Sequence, residues 1–290
     1  VKPTVDHVIL TRFNLPSRGS ESLVRAKESW LRDRVQLFED YCLPSVLAQQ
    51  AWQFTWIIYF DPHSPQWLKE RIAQYVERGY FVAIFREEVD SQQLLGDIRS
   101  VGAGNADVLL TTNLDNDDGL ALDFVQRLQE AVTDAETRAL YVSNGLIQCQ
   151  EKVYLRTDPV NAFCSVAAPW TNVTTCWMDW HNLLGNHMPI TQIAGAPGWL
   201  QVIHESNVSN RVRGQLTSPQ PYRENFAGGL PTATEPGASS LLLERAVLVP
   251  WRISKEMLRA GAKSLLMRLG GRELLDRAKS WMRRGSIIAR

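Results

Sequence analysis

At 290 residues, 44% hydrophobic and 21% charged, the chain is long enough for one large globular domain or one domain with a small appendage. Its 31 Lys and Arg balance 31 Asp and Glu, so no global charge draws it to nucleic acid, and no apolar run reaches the roughly 18 residues of a membrane span. Four cysteines without C-x-x-C spacing exclude a disulfide framework and a cysteine zinc site, and fit a reducing, cytoplasmic setting.

Val5–Thr11 is β-branched and apolar, as a buried strand should be, and breaks at the turn formers Asn14, Pro16 and Ser17. A helix is expected from about Glu21 to Glu39, interrupted near Pro44 and resuming to Gln50, with Trp30, Leu31, Val35, Phe38 and Tyr41 on its inner face. Phe54–Phe60 reads as a second strand ending at Asp61-Pro62. Ser64 is then expected to cap a helix that runs to Arg78 and stops at Gly79. Tyr80–Phe85 is a third strand, Ser91–Gly102 a helix and Ala106–Thr112 a fourth strand. That strand runs straight into Asn113-Leu114-Asp115-Asn116-Asp117-Asp118-Gly119. A helix over Leu122–Thr133 and a strand over Ala139–Asn144 follow. Alternation at this pitch predicts an α/β fold: a Rossmann-type, mostly parallel sheet with flanking helices. Ligands gather at the carboxyl ends of such strands, which here carry Thr11, Arg12, Asp61, Arg86 and Asp115.

Three carboxylates within four residues repel one another unless something positive lies between them. Oxygen ligands without cysteine favour Mn²⁺ or Mg²⁺, which take one or two carboxylates together with phosphate oxygens. A strand end, an acidic turn and a phosphate-bridging cation together point to a nucleotide diphosphate substrate. A calcium EF-hand fails on spacing, because Gly119 is fifth from Asp115 and Gln126 is twelfth. A phosphatase using Asp115 as nucleophile would carry its acidic pair after the first strand of the domain, and this is the fourth. Acids enriched at a helix start through the macrodipole are the remaining alternative.

The run Leu109–Ala121 resembles the D-x-D segment of bacterial rhamnosyltransferases, which are glycosyltransferases of the GT-A type. His7–Phe13, Trp56–Asp61 and Trp199–Arg211 are similar to the same family, so the resemblance spans roughly 5–214. It implies a GT-A-like fold and a nucleotide-sugar donor. Asp115 would then contact the ribose or metal-bound water, Asp117 would bind the cation, and Asp118 would support them or orient the acceptor. Two positions depart from the pattern: Asn113 stands where Arg is expected, and Trp170 where an acidic residue is common.

His204, at the end of the apolar run from Trp199, is the first choice as a further metal ligand, with His181 second. A base is needed if the reaction inverts the anomeric centre. Asp179, flanked by Trp177 and Trp180, leads Asp158 and Glu205 for that role. Thr11, Arg12, Asp61, Arg86 and Asp115 are the candidate donor contacts. The expected organisation is a catalytic domain over 1–205, a loop-rich acceptor-side segment or linker over 206–249, and a helical basic tail over 250–290. In that tail eleven Lys and Arg face three acids, a net charge of +8 offset by −8 in the remainder. Interleaved with Met257, Leu258, Leu265, Leu266 and Trp281, those cations suit peripheral contact with anionic lipid, or packing on the acidic body. The resulting expectation is a metal-dependent hexosyltransferase acting on a glycan or lipid-linked acceptor. The alternatives are a sugar-nucleotide binder without turnover and the aspartate-nucleophile phosphatase.

Overall fold

The computed structural model describes residues 2–16, 28–51, 53–204, 212–228 and 230–251. Two compact units divide the chain, Val1–Glu235 and Pro236–Arg290.

The first unit is built on a seven-stranded sheet in the order β10-β6-β9-β4-β1-β2-β3. Strands β1 (Val5–Arg12), β2 (Thr55–Phe60), β3 (Val82–Phe85) and β4 (Val108–Asn113) run parallel. β9 (Ser165–Pro169) is antiparallel to both β4 and β6 (Arg138–Val142), and β10 (Ile190–Ile193) returns parallel to β6. This is the expected α/β arrangement. Trp56, Ile57, Ile58, Tyr59 and Phe60 are all buried, because helices cover both faces of the sheet and leave β2 no solvent side.

On one face, Phe38 packs edge-on to Phe13 and against Trp56 and Tyr75, with Phe81 completing the aromatic cluster. On the other, Leu94 and Ile98 of the helix Ser91–Ser100 pack with Tyr59, Leu109 and Tyr141. Asp90 caps that helix through a reciprocal box with Gln93, which satisfies two otherwise orphaned N–H groups.

Several boundaries differ from the sequence expectation. The helix Glu28–Leu37 does not stop near Pro44; it passes through a π turn over Phe38–Cys42, and Pro44 sits harmlessly in the first turn of Leu43–Leu47. The expected start of that helix, 21–27, lies outside the described residues. Ser64 does not cap the next helix, Gln66–Glu77: Pro65 holds the cap position, and the Ser64 hydroxyl donates to the Asp61 carbonyl at 2.7 Å.

The strand expected over Ala139–Asn144 becomes two, joined by Ser143 alone. β6 stays in the large sheet, and β7 (Asn144–Cys149) enters a second sheet of order β12-β8-β7-β11-β5. That sheet contains β5 (Gly119–Leu120), β8 (Lys152–Thr157), β11 (Trp199–Ile203) and β12 (Gln215–Thr217). Gly145 makes the switch possible. A Cβ there would stand 2.0 Å from the Trp199 indole, which crosses it to donate to the Val142 carbonyl at 2.8 Å. In the second unit, Ala238–Leu243 is α-helical and continues through a π turn over Glu244–Leu248 to Trp251; the remainder of the expected basic tail lies outside the described residues.

Candidate active site

The acidic turn bridges the two sheets. Its start is held to the large sheet by backbone bonds from Asn113 to Cys164 and from Leu114 to Leu10. Its end, β5, is held to the small sheet by antiparallel pairing with β11. Asn116 donates to the Phe13 carbonyl at 2.6 Å, tying the turn to the loop after β1. Side-chain bonds hold Asn116, Asp117 and Asp118 in place, with Arg34 shared between Asn116 and Asp117.

Asp117 is buried and its Oδ2 takes two partners, His204 Nε2 at 3.0 Å and Arg34 at 2.5 Å. Burial pushes the Asp117 carboxyl up, but the His204 bond and the Arg34 charge outweigh it, so the group ends below its ordinary value. Asp118 is buried as well, and its Oδ1 accepts the Val202 N–H at 2.8 Å, which pins β11 to the turn. Burial, then the charges of Asp117 and Asp115, push the Asp118 carboxyl well above the usual range. Asp115 is recessed yet accessible, and lines a cavity of about 730 Å³. Its carboxyl is raised by its recessed position and by Asp117, with partial relief from Asn113, Arg12 and Arg34.

The cavity opens between the carboxyl ends of β1 and β4 and the second sheet. Arg12, Asn113 and Asp115 line one side; Phe163, Trp177, Trp180 and Trp199 supply aromatic walls. Arg12 stacks on Trp177 at 3.9 Å, and the Trp177 indole N–H donates to Asn113 Oδ1 at 2.8 Å. Arg156, Asp158, Asp179, His181 and Arg213 add charged and titratable groups to the polar lining. Asp179 is engaged on both oxygens: Oδ1 accepts the Trp180 N–H at 2.7 Å, and Oδ2 lies 2.8 Å from His187 Nε2. The His187 bond and the Trp180 N–H hold the Asp179 carboxyl below its ordinary value. Burial lowers His181, against the opposing charge of Asp158, so its ring is neutral at pH 7.

The sequence candidates thus separate. Arg12, Asp115 and Asp179 reach the cavity; Asp117 and His204 meet beside it. Thr11 is fully buried, its hydroxyl accepting the Trp56 indole N–H at 3.0 Å. Arg86 is bound bidentately to Asp97 at 2.8 and 2.5 Å, with the Tyr59 hydroxyl on the same carboxylate. Asp61 serves its own turn, accepting the His63 N–H at 2.7 Å. None of these three lines the cavity. Glu205 lies outside the described residues. Arg34 belongs to the site without any local signal, being one more cation on an amphipathic helix until the fold lays it on Asp117.

Among the described residues no group of three His, Cys, Asp or Glu side chains comes together to cage a metal. The pair Asp117–His204, with Asp115 accessible in the adjoining cavity, suits a cation that completes its shell with substrate phosphates and water.

A family model described as "Putative rhamnosyl transferase" matches residues 6–216. No curated protein matches the chain. Among solved structures, S. aureus TarS 1–349 in complex with UDP-GlcNAc is 11% identical with a TM-score of 0.43; the match covers 76% of this chain and 64% of that one. The present chain thus spans under two thirds of the TarS fragment. A "putative nucleotide-diphospho-sugar transferase" from Desulfovibrio desulfuricans G20 is 9% identical with a TM-score of 0.36, covering 69% of this chain and 82% of the other. The inositol-1-phosphate CTP transferase from T. maritima is 9% identical with a TM-score of 0.35, covering 72% and 94%.

Proposed function

The chain belongs to the family described as "Putative rhamnosyl transferase", and from that premise we propose that it transfers a sugar from a nucleotide-sugar donor to a glycan or lipid-linked acceptor. The observation that carries this reading is the placement of Asp115 in a large, aromatic-walled cavity at the carboxyl ends of the central strands, with Asp117 and His204 alongside. Aromatic faces suit sugar rings, and a strand-end acidic turn suits a diphosphate held through a cation.

In this reading Asp117 and His204 would hold Mn²⁺ or Mg²⁺, with Asp115 serving it through bound water, and the ion would neutralise charge on the departing diphosphate. Arg12, fixed by its stack on Trp177, faces the donor phosphates. Asp118 positions β11 rather than touching substrate. Asp179 accepts the proton of the acceptor hydroxyl, with His187 holding its carboxylate in place. Thr11, Asp61 and Arg86, expected as donor contacts, lie outside the cavity lining and make no donor contact in this reading. The catalytic domain is 1–205, and the segment that follows it contributes to the acceptor side through Arg213, which reaches the cavity lining. The enzyme works in the cytoplasm, in peripheral contact with the membrane. Rhamnose as the transferred sugar follows from the family's description alone.

Calorimetric titration of nucleoside diphosphates and their sugars, with and without Mn²⁺, tests the donor site. Metal-dependent binding that is lost in Asp117→Ala supports it and identifies the nucleotide. Absence of binding by every nucleotide in the panel would remove it.

A further inference from the structure

The second sheet brings two arginines to the cavity that the donor site does not use. Arg156 lies on β8 and Arg213 just before β12, and both line the cavity. The two strands pair antiparallel with Gln215 opposite Leu155, which sets Gly214 against Arg156. Gly214 has a φ of 85°, and a Cβ there would stand 2.3 Å from the Leu155 carbonyl oxygen and 3.3 Å from Arg156 Cα. Only glycine allows that approach, and it delivers Arg213 to the neighbourhood of Arg156. Like charges brought together cost stability unless an anion offsets them. Asp158 is a poor counterion for the pair: its Oδ2 lies 3.4 Å from the Arg156 guanidinium, and its Oδ1 accepts the Val160 N–H at 3.3 Å. Arg156 Nε is buried and has no hydrogen-bond partner among the described residues. A buried donor of this kind calls for an acceptor from outside the chain.

We propose that Arg156 and Arg213 form a specificity site for the acceptor, and that the acceptor is an anionic sugar whose carboxylate or phosphate the two guanidiniums hold. Guanidinium planes match both oxyanions with paired N–H donors. The donor diphosphate has its own place at the carboxyl ends of β1 and β4, beside Asp115 and Arg12, whereas these arginines come from the other sheet. Trp180, next in the chain to Asp179, is 71% exposed and lines the same cavity, so it offers an open aromatic face to an acceptor ring. A neutral acceptor would leave Arg156 Nε unmet and the two cations uncompensated, so the site discriminates against it. The assignment of this anion to the acceptor rests on the transferase reading, whereas its binding by the two arginines does not.

Calorimetric titration of the full chain with three sugars that share one ring is the test: methyl glucoside, methyl glucuronide and methyl glucoside 6-phosphate. Each is titrated into the protein alone and into the protein saturated with Mn²⁺ and its preferred nucleoside diphosphate, which fills the donor side. At least one anionic sugar is expected to bind about tenfold or more tighter than the neutral glucoside, and the better of the two tells carboxylate from phosphate. Arg156→Gln and Arg213→Gln should each remove that advantage and leave nucleotide binding unchanged. Circular dichroism checks the fold of both variants, and Arg213, exposed at its loop position, carries the test if Arg156→Gln does not fold. Equal affinity for the three sugars, no measurable binding of either anion, or an anionic advantage that survives in Arg213→Gln overturns the proposal. So does loss of nucleoside diphosphate binding in a folded variant, since the arginines would then serve the donor. Failure of every nucleotide to bind wild type counts against the transferase reading instead, because the titrations on the protein alone still show whether the arginines select the anion.

Discussion

His204 Nε2 lies 3.0 Å from Asp117 Oδ2, an oxygen that also takes Arg34 at 2.5 Å. One carboxylate oxygen thus joins the long amino-terminal helix, the acidic turn and the end of β11. In the proposed reading, a guanidinium there occupies the charge role that a divalent cation would fill with donor bound. Removing it should favour the cation and weaken the resting fold.

Arg34→Gln is therefore expected to tighten Mn²⁺ binding about tenfold, because a competing charge leaves Asp117, while lowering the melting temperature by a few degrees. Asp117→Asn should abolish metal-dependent nucleotide binding. Isothermal titration with Mn²⁺ on the two variants decides the matter: weaker metal binding in Arg34→Gln would mean that the arginine assists the cation rather than competing with it.

Asp118 supplies a second, separable effect. Its folded carboxyl is raised, so its favourable contribution is complete below the unfolded value near 4 and is lost as pH rises through the folded value. Asp118→Asn keeps an oxygen for the Val202 N–H and removes the buried charge. The variant should be more stable than wild type at pH 8, by about 1 kcal/mol or more, with the gain vanishing toward pH 4. Chemical denaturation at the two pH values measures it; equal stability at pH 8 would show that the charge is already compensated.

His7 gives the opposite sign. Its ring is buried between Thr112 Oγ1 at 2.8 Å and Gln129 at 3.4 Å, and burial lowers it to about 3. Between that value and the unfolded value near 6.5 the unfolded chain binds the extra proton, so stability falls as pH falls, by up to about 1.4 kcal/mol per pH unit. His7→Gln should flatten this slope even if it lowers stability at pH 7. An unchanged slope in the variant would place the acid sensitivity elsewhere.

Gly145→Ala should destabilise the fold by about 1–3 kcal/mol, because the new methyl group would meet the Trp199 indole and force it from its bond to the Val142 carbonyl. Trp199 also stacks on Phe163 at 5.1 Å in the cavity wall, so the same change should weaken nucleotide-sugar binding. Urea unfolding and calorimetry report the two effects; a neutral result would mean that the indole has room to swing away.

Asp179→Asn is expected to reduce sugar transfer by about 10²–10⁴-fold while leaving donor affinity within about twofold of wild type. His187→Gln should move the acid limb of the rate profile to higher pH, because the bond that depresses Asp179 is removed. Rates of donor consumption across pH follow both. If His181→Asn abolishes turnover and Asp179→Asn does not, the neutral imidazole in the same cavity is the proton acceptor.

Much of the fold was legible in the linear pattern. Val5–Thr11, Phe54–Phe60 and Ala106–Thr112 are apolar runs too short for helices and bounded by turn formers, so their strands were readable. The acidic turn was readable because its crowding of charge demands a counterion. The split at Ser143 was not, since Ala139–Asn144 has the pattern of one strand, and only the fit of Gly145 under Trp199 divides it between two sheets.

The site divides in the same way. Asp115, Asp117 and the strand they follow are local facts, set by spacing and by repulsion between neighbouring carboxylates. Which partner each acquires depends on contacts between distant segments. The pairing of β11 with β5 and β7 brings His204 to Asp117, and the packing of the Glu28–Leu37 helix brings Arg34 to the same oxygen. Arg86, which looked as available as Arg12, is taken by Asp97 across the sheet edge, while Arg12 stacks on Trp177 and stays in the cavity wall. Charge and periodicity are properties of a segment and can be read along the chain. A cation's choice between a buried carboxylate and an open cavity depends on which residues the sheet register sets opposite it, and that is decided only when the chain has closed.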